Sequence, residues 1–183
     1  TPADLKVLAD AGFSRISFGA ESMNEQDFAP IGRPGRVQDT KTAVAAARAA
    51  GFANISLDLM YGLPGQSLES WTHTIQALLL LEPSHISCYA LTIEDGTKLS
   101  RNMASNLMPG IDEALQVAME SAAETLLSEA GFIRYEISNY AKPGFACCHN
   151  LLYWTDGDYL GLGPSAQSYV NGVRFGNVAD LTA

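Results

Sequence analysis

One acidic residue lies inside an apolar run of the sequence. The stretch LDLMYGLPGQ places Asp58 among apolar neighbours, shortly before a turn that contains two glycines. A carboxylate in such surroundings is costly unless a cation pairs with it or hydrogen-bond donors surround it. Arg15 or Arg33 could supply the cation, or ligand hydroxyl groups could donate to Asp58, as ribose hydroxyls do in other nucleotide-binding folds. The glycines would let a ligand approach the backbone closely, although GLPG alone predicts only a tight strand-to-helix loop.

The composition describes a globular chain with an acidic balance. Its 183 residues are 47% hydrophobic and carry a net charge of -9. The basic residues are scattered, whereas a duplex-binding surface needs them clustered, so we expect no nucleic-acid partner. The sequence shows no signal peptide and no apolar run long enough to span a bilayer, which predicts a soluble, cytoplasmic protein. Cys88, Cys147 and Cys148 lack the spacing of a disulfide framework or a metal knuckle, and we expect reduced thiols.

A pattern with a period of about 40 residues repeats along the chain. ADAGFSRISFGAES, RAAGFANISLDLMY and SEAGFIRYEISNYA each join a helical end to Ala-Gly-Phe and then to an alternating strand. The glycine of each joint, Gly12, Gly51 or Gly131, can end a helix in the left-handed conformation, and the phenylalanine can pack on the last turn. A fourth unit, LLLLEPSHISCYALT, has Glu82 and Pro83 in place of Ala-Gly. This repetition of helix and strand predicts (β/α) units.

The helices that precede the later joints have recognisable starts. We expect one helix over residues 39–50, with Asp39 as its cap, a second from near Ser67 and a third from near Asp112. These helices would cover one face of the sheet that the strands form.

Two strands alternate between an apolar and a polar face. In residues 15–21 and 54–61 every second side chain is apolar, and the others are mostly polar or small. A polar inner face predicts an open or partial (β/α) barrel rather than a barrel filled with bulky apolar residues. Glu21, Asp58 and Thr92 all lie at or near the carboxyl ends of strands, where such barrels build their sites.

Several sequence blocks, in order along the chain, resemble a known family. The blocks are RISFGAES, LDLMYGLPGQSLESW, HISCYALTIEDGT, YEISNYAKPG, HNLLYW and DYLGLGPSAQSY. They are similar to radical S-adenosylmethionine (SAM) enzymes of the oxygen-independent coproporphyrinogen III oxidase type. The resemblance implies an α/β fold that is part of a radical SAM partial barrel. It places later barrel units in residues 1–110 and a truncated helix-strand extension in residues 111–183.

The resemblance also implies residues that bind SAM. The matching positions are Asp58 with Met60, the pair of Glu21 and Arg33, and Thr92, here taken as the end of its strand. The family has glutamine where this chain has Glu21, which brings a second negative charge near Asp58 that Arg33 could offset. No catalytic residue is assigned in this chain.

HNLLYW resembles a block of the haem-chaperone (HemW) branch of the family. That resemblance implies that His149 binds haem, since imidazole is a good axial ligand of haem iron. Tyr153 and Trp154 could then cover a porphyrin face. The alternative is that His149 and Asn150 hydrogen-bond a loop while the two aromatic side chains fill the core. His73 and His85 have no comparable context, and His73 is expected on a helix surface.

The family's [4Fe–4S] cluster motif, CxxxCxxC, does not occur in the sequence. Cluster iron needs cysteine thiolates, so we expect those cysteines upstream of this chain, which would then be a fragment without activity of its own.

Three functions remain open at this stage. The first is a fragment of a radical SAM haem chaperone that binds haem or porphyrin and SAM and delivers haem. The second is the oxygen-independent coproporphyrinogen III oxidase, which decarboxylates propionates oxidatively. The third is a (β/α)-barrel enzyme without radical chemistry.

Overall fold

The computed structural model describes residues 1–180, which form six α-helices, seven strands and a short 3-10 turn. In chain order these are α1 (Pro2–Asp10), β1 (Arg15–Glu21), the 3-10 turn (Glu25–Asp27), α2 (Val37–Ala49), β2 (Asn54–Tyr61), α3 (Leu68–Leu79), β3 (His85–Ala90), α4 (Lys98–Ala104), α5 (Glu113–Glu129), β4 (Ile133–Arg134), β5 (Asn139–Ala141), α6 (Cys148–Trp154), β6 (Gln167–Val170) and β7 (Val173–Gly176).

The central sheet has the order β1-β2-β3-β5-β4. Its first three strands are parallel, and β5 and β4 run antiparallel to them. Parallel neighbours need a crossover, which α2 and α3 supply, so this part of the chain has the predicted (β/α) pattern. Gly19, Asp58 and Ser87 are directly paired across the three strands and lie on the polar face of the sheet.

The helix-to-strand joints have one hydrogen-bond pattern. At the second joint Gly51 has a φ of 102° and donates to Arg48, while the amide of Phe52 donates to the carbonyl of Ala47 at 3.0 Å. The same pattern recurs at Gly12 and at Gly131. Glycine takes this left-handed conformation without a Cβ clash, and each helix ends there.

Two expectations about the joints were wrong in detail. In the fourth unit Glu82, with a φ of 48°, takes the place of glycine, and Pro83 is the fully buried residue after it. The position equivalent to glycine is therefore Glu82, one residue earlier than Pro83, where the sequence pattern placed it. Phe52 and Phe132 are buried as expected, whereas Phe13 is 59% exposed.

The helix starts agree with the sequence at two of three positions. Ser67 caps α3 by accepting from the amide of Ser70, and Asp112 caps α5 by accepting from the amide of Leu115. Helix α2 begins earlier than expected, and Asp39 lies in its first turn, where the carboxylate accepts from the amide of Arg36 at 2.9 Å. Asp39 therefore stabilises the start of α2 without being its cap residue.

The core lies between the helices and the apolar face of the sheet. Leu57 and Leu59 of β2 are fully buried against side chains of α3 and α5. Trp71 is also fully buried, and its indole Nε1 donates to the carbonyl of Met119 at 2.7 Å, which joins α3 to α5. A buried indole N–H needs such a partner.

The chain divides into two compact units, Thr1–Phe145 and a second unit that begins at Ala146. The first contains the whole five-stranded sheet, and the second contains α6 and the hairpin β6-β7. The compact units separate after Phe145. The predicted division between later barrel units (1–110) and an extension (111–183) stays a prediction. Among residues 1–180, no helix combines the length and the apolar character needed to cross a membrane.

Candidate functional site

Asp58 is held by hydroxyl groups on the polar face of the sheet. Ser17 donates to both carboxylate oxygens at 3.0 and 2.9 Å, Ser87 donates to Oδ1 at 2.9 Å, and Ser56 lies 3.4 Å from Oδ1. In the described part of the chain no basic side chain forms an ion pair with Asp58. The expected arginine partner is therefore not found among the described residues, and the donors that surround Asp58 are serine hydroxyls of the chain itself. Hydrogen bonding by ligand hydroxyls stays a prediction. An ionised carboxylate only accepts, and hydroxyl donors match it.

Glu21 and Arg33 form an ion pair beside Asp58. Glu21 ends β1 with a φ of 59°, at a point where the pairing with β2 shifts register. Its carboxylate accepts from the guanidinium of Arg33. A Cβ on Gly19 would lie 2.7 Å from atoms of both side chains. The ion pair therefore lies directly over Gly19, which is paired with Asp58 on the next strand. A larger residue at position 19 would displace the ion pair.

Four of the five residues predicted to bind SAM line one pocket of about 430 Å³. They are Glu21, Arg33, Met60 and Thr92. The expectation that Thr92 ends its strand was wrong. Strand β3 ends at Ala90, two residues before Thr92. Asp58 is not part of the lining and lies on the adjacent polar face. A neighbouring pocket of about 350 Å³ shares Glu21 and Arg33, so the ion pair stands between two cavities.

A buried polar network supports the backbone after Glu21. Ser22 donates to Asp27 at 2.6 Å and lies 3.1 Å from the hydroxyl of Thr74 on α3. The amide nitrogen of Gln66 also donates to Asp27, at 3.2 Å, and its Oε1 accepts from the backbone of Leu63. This network joins the segment after β1 to the GLPGQ turn after β2. Asp27 lies in the 3-10 turn and is 5% exposed. Its role was not predicted, because a single acidic residue between strands carries no spacing signal.

His85 is a second residue that the sequence analysis did not single out. It is fully buried on β3, with Nδ1 2.8 Å from the hydroxyl of Ser56 and Nε2 2.7 Å from the hydroxyl of Tyr135. Burial, together with the positive charge of Arg15, lowers the pKa of His85 to about 4. The imidazole is therefore neutral near pH 7. His85 lies on the polar face of the sheet, directly paired with Ser56. Its alternation with Ser87 in β3 was the signal in the sequence that could have pointed to it.

His149 lies in the second unit, on the exposed helix α6. Its Nε2 is 2.9 Å from the hydroxyl of Tyr153, and the two rings meet edge to face at 5.0 Å. Tyr153 also packs edge to face on Tyr159. Tyr153 and Trp154 are 44% and 55% exposed. The alternative in which these two aromatic residues fill the core was therefore wrong, and His73 is exposed on α3 as expected.

The cysteines do not form a metal site in the described residues. None of the three forms a disulfide within residues 1–180, and burial raises the pKa of the Cys88 thiol far above its usual range. Within residues 1–180, no three His, Cys, Asp or Glu side chains lie close enough to hold a metal ion. The described side chains therefore do not fit a [4Fe–4S] cluster.

Comparisons with known proteins agree with this geometry. The family model described as the radical SAM superfamily matches residues 1–78. The heme chaperone HemW of Bacillus subtilis is 38% identical over 177 residues, which are 97% of this chain and 47% of that protein. The heme chaperone HemW of Escherichia coli is 41% identical over 160 residues, or 87% of this chain and 41% of that protein. The chain thus spans about half the length of the curated relatives it matches.

A solved structure shows the same fold. Coproporphyrinogen III oxidase (HemN) from Escherichia coli, described as a radical SAM enzyme, superposes with a TM-score of 0.82 at 21% identity, over 100% of this chain and 44% of that one. The predicted α/β fold with radical SAM (β/α) units is confirmed. Membership of the superfamily implies SAM and a [4Fe–4S] cluster as cofactors of the complete protein. With these similarities in sequence and in fold, residues 1–78 belong to the radical SAM superfamily, and the chain is similar over most of its length to heme chaperones of the HemW type.

Proposed function

We propose that the chain is part of a radical SAM haem chaperone, whose first unit binds SAM and whose second unit contacts haem. The observation that carries the first half is the pocket that brings together Glu21, Arg33, Met60 and Thr92 beside Asp58. The second half is supported by the relatives named heme chaperone HemW and by the exposed His149 with its aromatic neighbours.

The residues around the pocket fit the groups of SAM. The amino group and the ribose hydroxyls of SAM can donate hydrogen bonds to the carboxylates of Asp58 and Glu21. The carboxylate of SAM can accept from the guanidinium of Arg33. Met60 adds apolar surface, and the pocket volume of about 430 Å³ lies in the range of small-molecule sites. When bound, SAM supplies the radical chemistry for which the superfamily is named. The part of this chain is to bind and orient it.

Removing the Asp58 carboxylate tests the SAM site. In the complete protein Asp58→Ala should weaken SAM binding about 10- to 100-fold, because hydrogen bonds to a charged group contribute roughly 1.5–3 kcal/mol. Equilibrium dialysis with labelled SAM measures this affinity directly. Asp10→Ala is the matched control, since Asp10 is an exposed carboxylate on α1 that forms an ion pair with Lys6. Equal affinities of the two variants would make Asp58 a structural residue and remove the basis of the SAM site.

The haem site depends on how His149 is oriented. If Nε2 donates to the Tyr153 hydroxyl, the lone pair of Nδ1 is left for iron, an arrangement common among metal-bound histidines. Trp154 and Tyr153 offer exposed aromatic faces that could stack on a porphyrin. His149 would therefore act as an axial ligand and the aromatic residues as the cover of the macrocycle.

Haem titration tests the second half of the proposal. The complete protein should shift the Soret band of added haem, and His149→Ala should weaken both the shift and the affinity. His73→Ala is the control, because His73 is also exposed but lies on α3 in the first unit. If the His149→Ala spectrum matches that of the wild type, the ligand role of His149 is wrong.

The oxidase remains the second candidate because the fold is shared with coproporphyrinogen III oxidase. A fold match at 21% identity does not transfer the reaction, however, and the relatives at 38% and 41% identity are heme chaperones. We therefore expect the complete, cluster-loaded protein to bind haem without decarboxylating coproporphyrinogen III. Product analysis by mass spectrometry checks this, and turnover of the propionates would favour the oxidase.

A further inference from the structure

We propose that Tyr135, His85 and Ser56 form a chain of hydrogen-bond donors that ends on Oδ1 of Asp58 and leaves Oδ2 to face the ligand. On this view His85 and Tyr135 are positioning residues for SAM that never touch it. The inference rests on the proposed function, because it assigns to the Asp58 site its supporting residues.

The polar atoms of Tyr135, His85, Ser56 and Asp58 form a continuous series, with two short contacts and one longer one. The Tyr135 hydroxyl is 2.7 Å from His85 Nε2, and His85 Nδ1 is 2.8 Å from the Ser56 hydroxyl. The last link, from the Ser56 hydroxyl to Asp58 Oδ1, is the longest at 3.4 Å. His85 and Ser56 are both fully buried and are directly paired across β3 and β2. Their side chains therefore cannot turn to water for other partners.

The chemistry of its two ends gives the chain a direction. The Asp58 carboxylate can only accept, so in the last link the Ser56 hydroxyl donates. The Ser56 oxygen then accepts from Nδ1–H of the neutral imidazole. A neutral imidazole has one donor and one acceptor, so Nε2 must accept from the Tyr135 hydroxyl. In the opposite direction the Ser56 hydroxyl would donate to His85 Nδ1, and the Asp58 carboxylate would lose one donor. Hydrogen bonds to a charged acceptor are stronger than those between neutral groups, so the first direction is favoured.

The two oxygens of Asp58 are consequently unequal. Among the described residues Oδ1 has contacts with Ser17, Ser56 and Ser87, whereas Oδ2 has a contact with Ser17 only. A ligand hydroxyl or amine would thus meet the less occupied oxygen. The chain holds the carboxylate plane, so the position of Oδ2 is set before a ligand arrives, which lowers the ordering cost of binding.

The tautomer of His85 is the first readout. In the complete protein, labelled with 15N-histidine, we expect the Nδ1–H tautomer for His85, with its resonances assigned by their loss in His85→Leu. Tyr135→Phe removes the donor to Nε2 but leaves Nδ1–H bonded to Ser56, so the Nδ1–H tautomer should persist while the 15N resonance of Nε2 shifts, because its lone pair has lost a hydrogen bond. A wild-type Nε2–H tautomer would overturn the proposed direction. A change of stability alone would not shift the Nε2 resonance.

SAM affinity is the second readout. Tyr135→Phe should weaken SAM binding about 2- to 10-fold, the loss expected for one indirect hydrogen bond, while Tyr169→Phe in the second unit should not. Ser56→Ala should have a similar effect, and Tyr135→Phe added to Ser56→Ala should cause no further loss, because the chain is already interrupted. Additive losses, or unchanged affinity in Tyr135→Phe, would overturn the positioning role.

The two proposals fail separately. If Asp58→Ala weakens SAM binding but Tyr135→Phe does not, the SAM site stands and the donor chain does not act on it. If Asp58→Ala leaves SAM binding unchanged, the SAM site fails, while the His85 tautomer still reports whether the chain exists.

Discussion

At the scale of residues, hydroxyl groups rather than a cation keep Asp58 within the sheet. Ser17, Ser56 and Ser87 belong to three neighbouring strands and all point to the carboxylate. Arg33 pairs instead with Glu21, so the additional charge at position 21 has its own partner. Serine donors leave the negative charge of Asp58 uncompensated by a full positive charge, which suits a residue that is to attract donors of a cationic ligand such as SAM.

His85 makes the stability of the chain depend on pH at the residue scale. Its pKa is about 4 in the fold and 6.5 when unfolded, so between these values the unfolded state binds a proton that the folded state does not. The free energy of unfolding should therefore fall by about 3 kcal/mol as the pH decreases from 6.5 towards 4. The charged groups near the imidazole are Arg15, whose charge strengthens the effect, and Asp58, which lies beyond Ser56.

Urea unfolding at several pH values measures this dependence. His85→Gln removes the titrating group, so the variant should lose less stability than the wild type over that range. Protonation of carboxylates affects both proteins alike and cancels in the difference between the two curves. Parallel curves for the wild type and His85→Gln would contradict the lowered pKa.

At the scale of elements, one joint between helix and strand is used repeatedly. Three joints have glycine in the left-handed conformation, and the fourth has Glu82 with a φ of 48°. A residue with a Cβ pays roughly 1–2 kcal/mol for this conformation. Arg48 donates to the carbonyls of Leu81 and Glu82 and thus supports the strained joint through contacts that do not need the Glu82 side chain.

Replacing Glu82 tests the cost of this strain. Glu82→Gly and Glu82→Ala both remove the exposed ion pair with Arg48, but only glycine relieves the backbone. Glu82→Gly should therefore be more stable than Glu82→Ala by about 1 kcal/mol in thermal or urea unfolding. The reverse change, Gly51→Ala, should cost about as much, because no atom lies within 4 Å of the added Cβ and only the φ of 102° opposes it. If glycine and alanine at position 82 are equally stable, strain does not distinguish the joints.

The elements also show how far sequence reasoning reaches. Strands β1 and β2 have the predicted bounds, because alternation with period two is strong in both. Asp39 lies three residues after the cap position predicted for it, and Thr92 lies two residues beyond the end of its strand, since the ends of elements depend on individual hydrogen bonds. His85 was missed because its partner Tyr135 lies 50 residues further along the chain. Only the folded sheet brings the two together.

At the scale of the whole molecule, the two compact units have separate tasks in our proposal. The sheet, the pocket and Asp58 belong to Thr1–Phe145, and His149 belongs to the unit that begins at Ala146. Each unit also contains one of the two tryptophans. Trp71 of the first unit is fully buried, whereas Trp154 of the second is 55% exposed. Fluorescence can therefore follow the first unit by a blue-shifted emission and the second by a red-shifted one.

This difference allows a test of whether the first unit folds alone. Residues 1–145 contain all five strands of the central sheet and the core around Trp71, so we expect them to unfold in one cooperative urea transition. Their emission should be blue-shifted before the transition and red-shifted after it. Trp71→Phe should lower the free energy of unfolding by about 1–3 kcal/mol, because the buried carbonyl of Met119 then loses its donor; circular dichroism follows this variant, which lacks tryptophan. If residues 1–145 give red-shifted emission and no transition, the first unit needs the residues from Ala146 onward to fold.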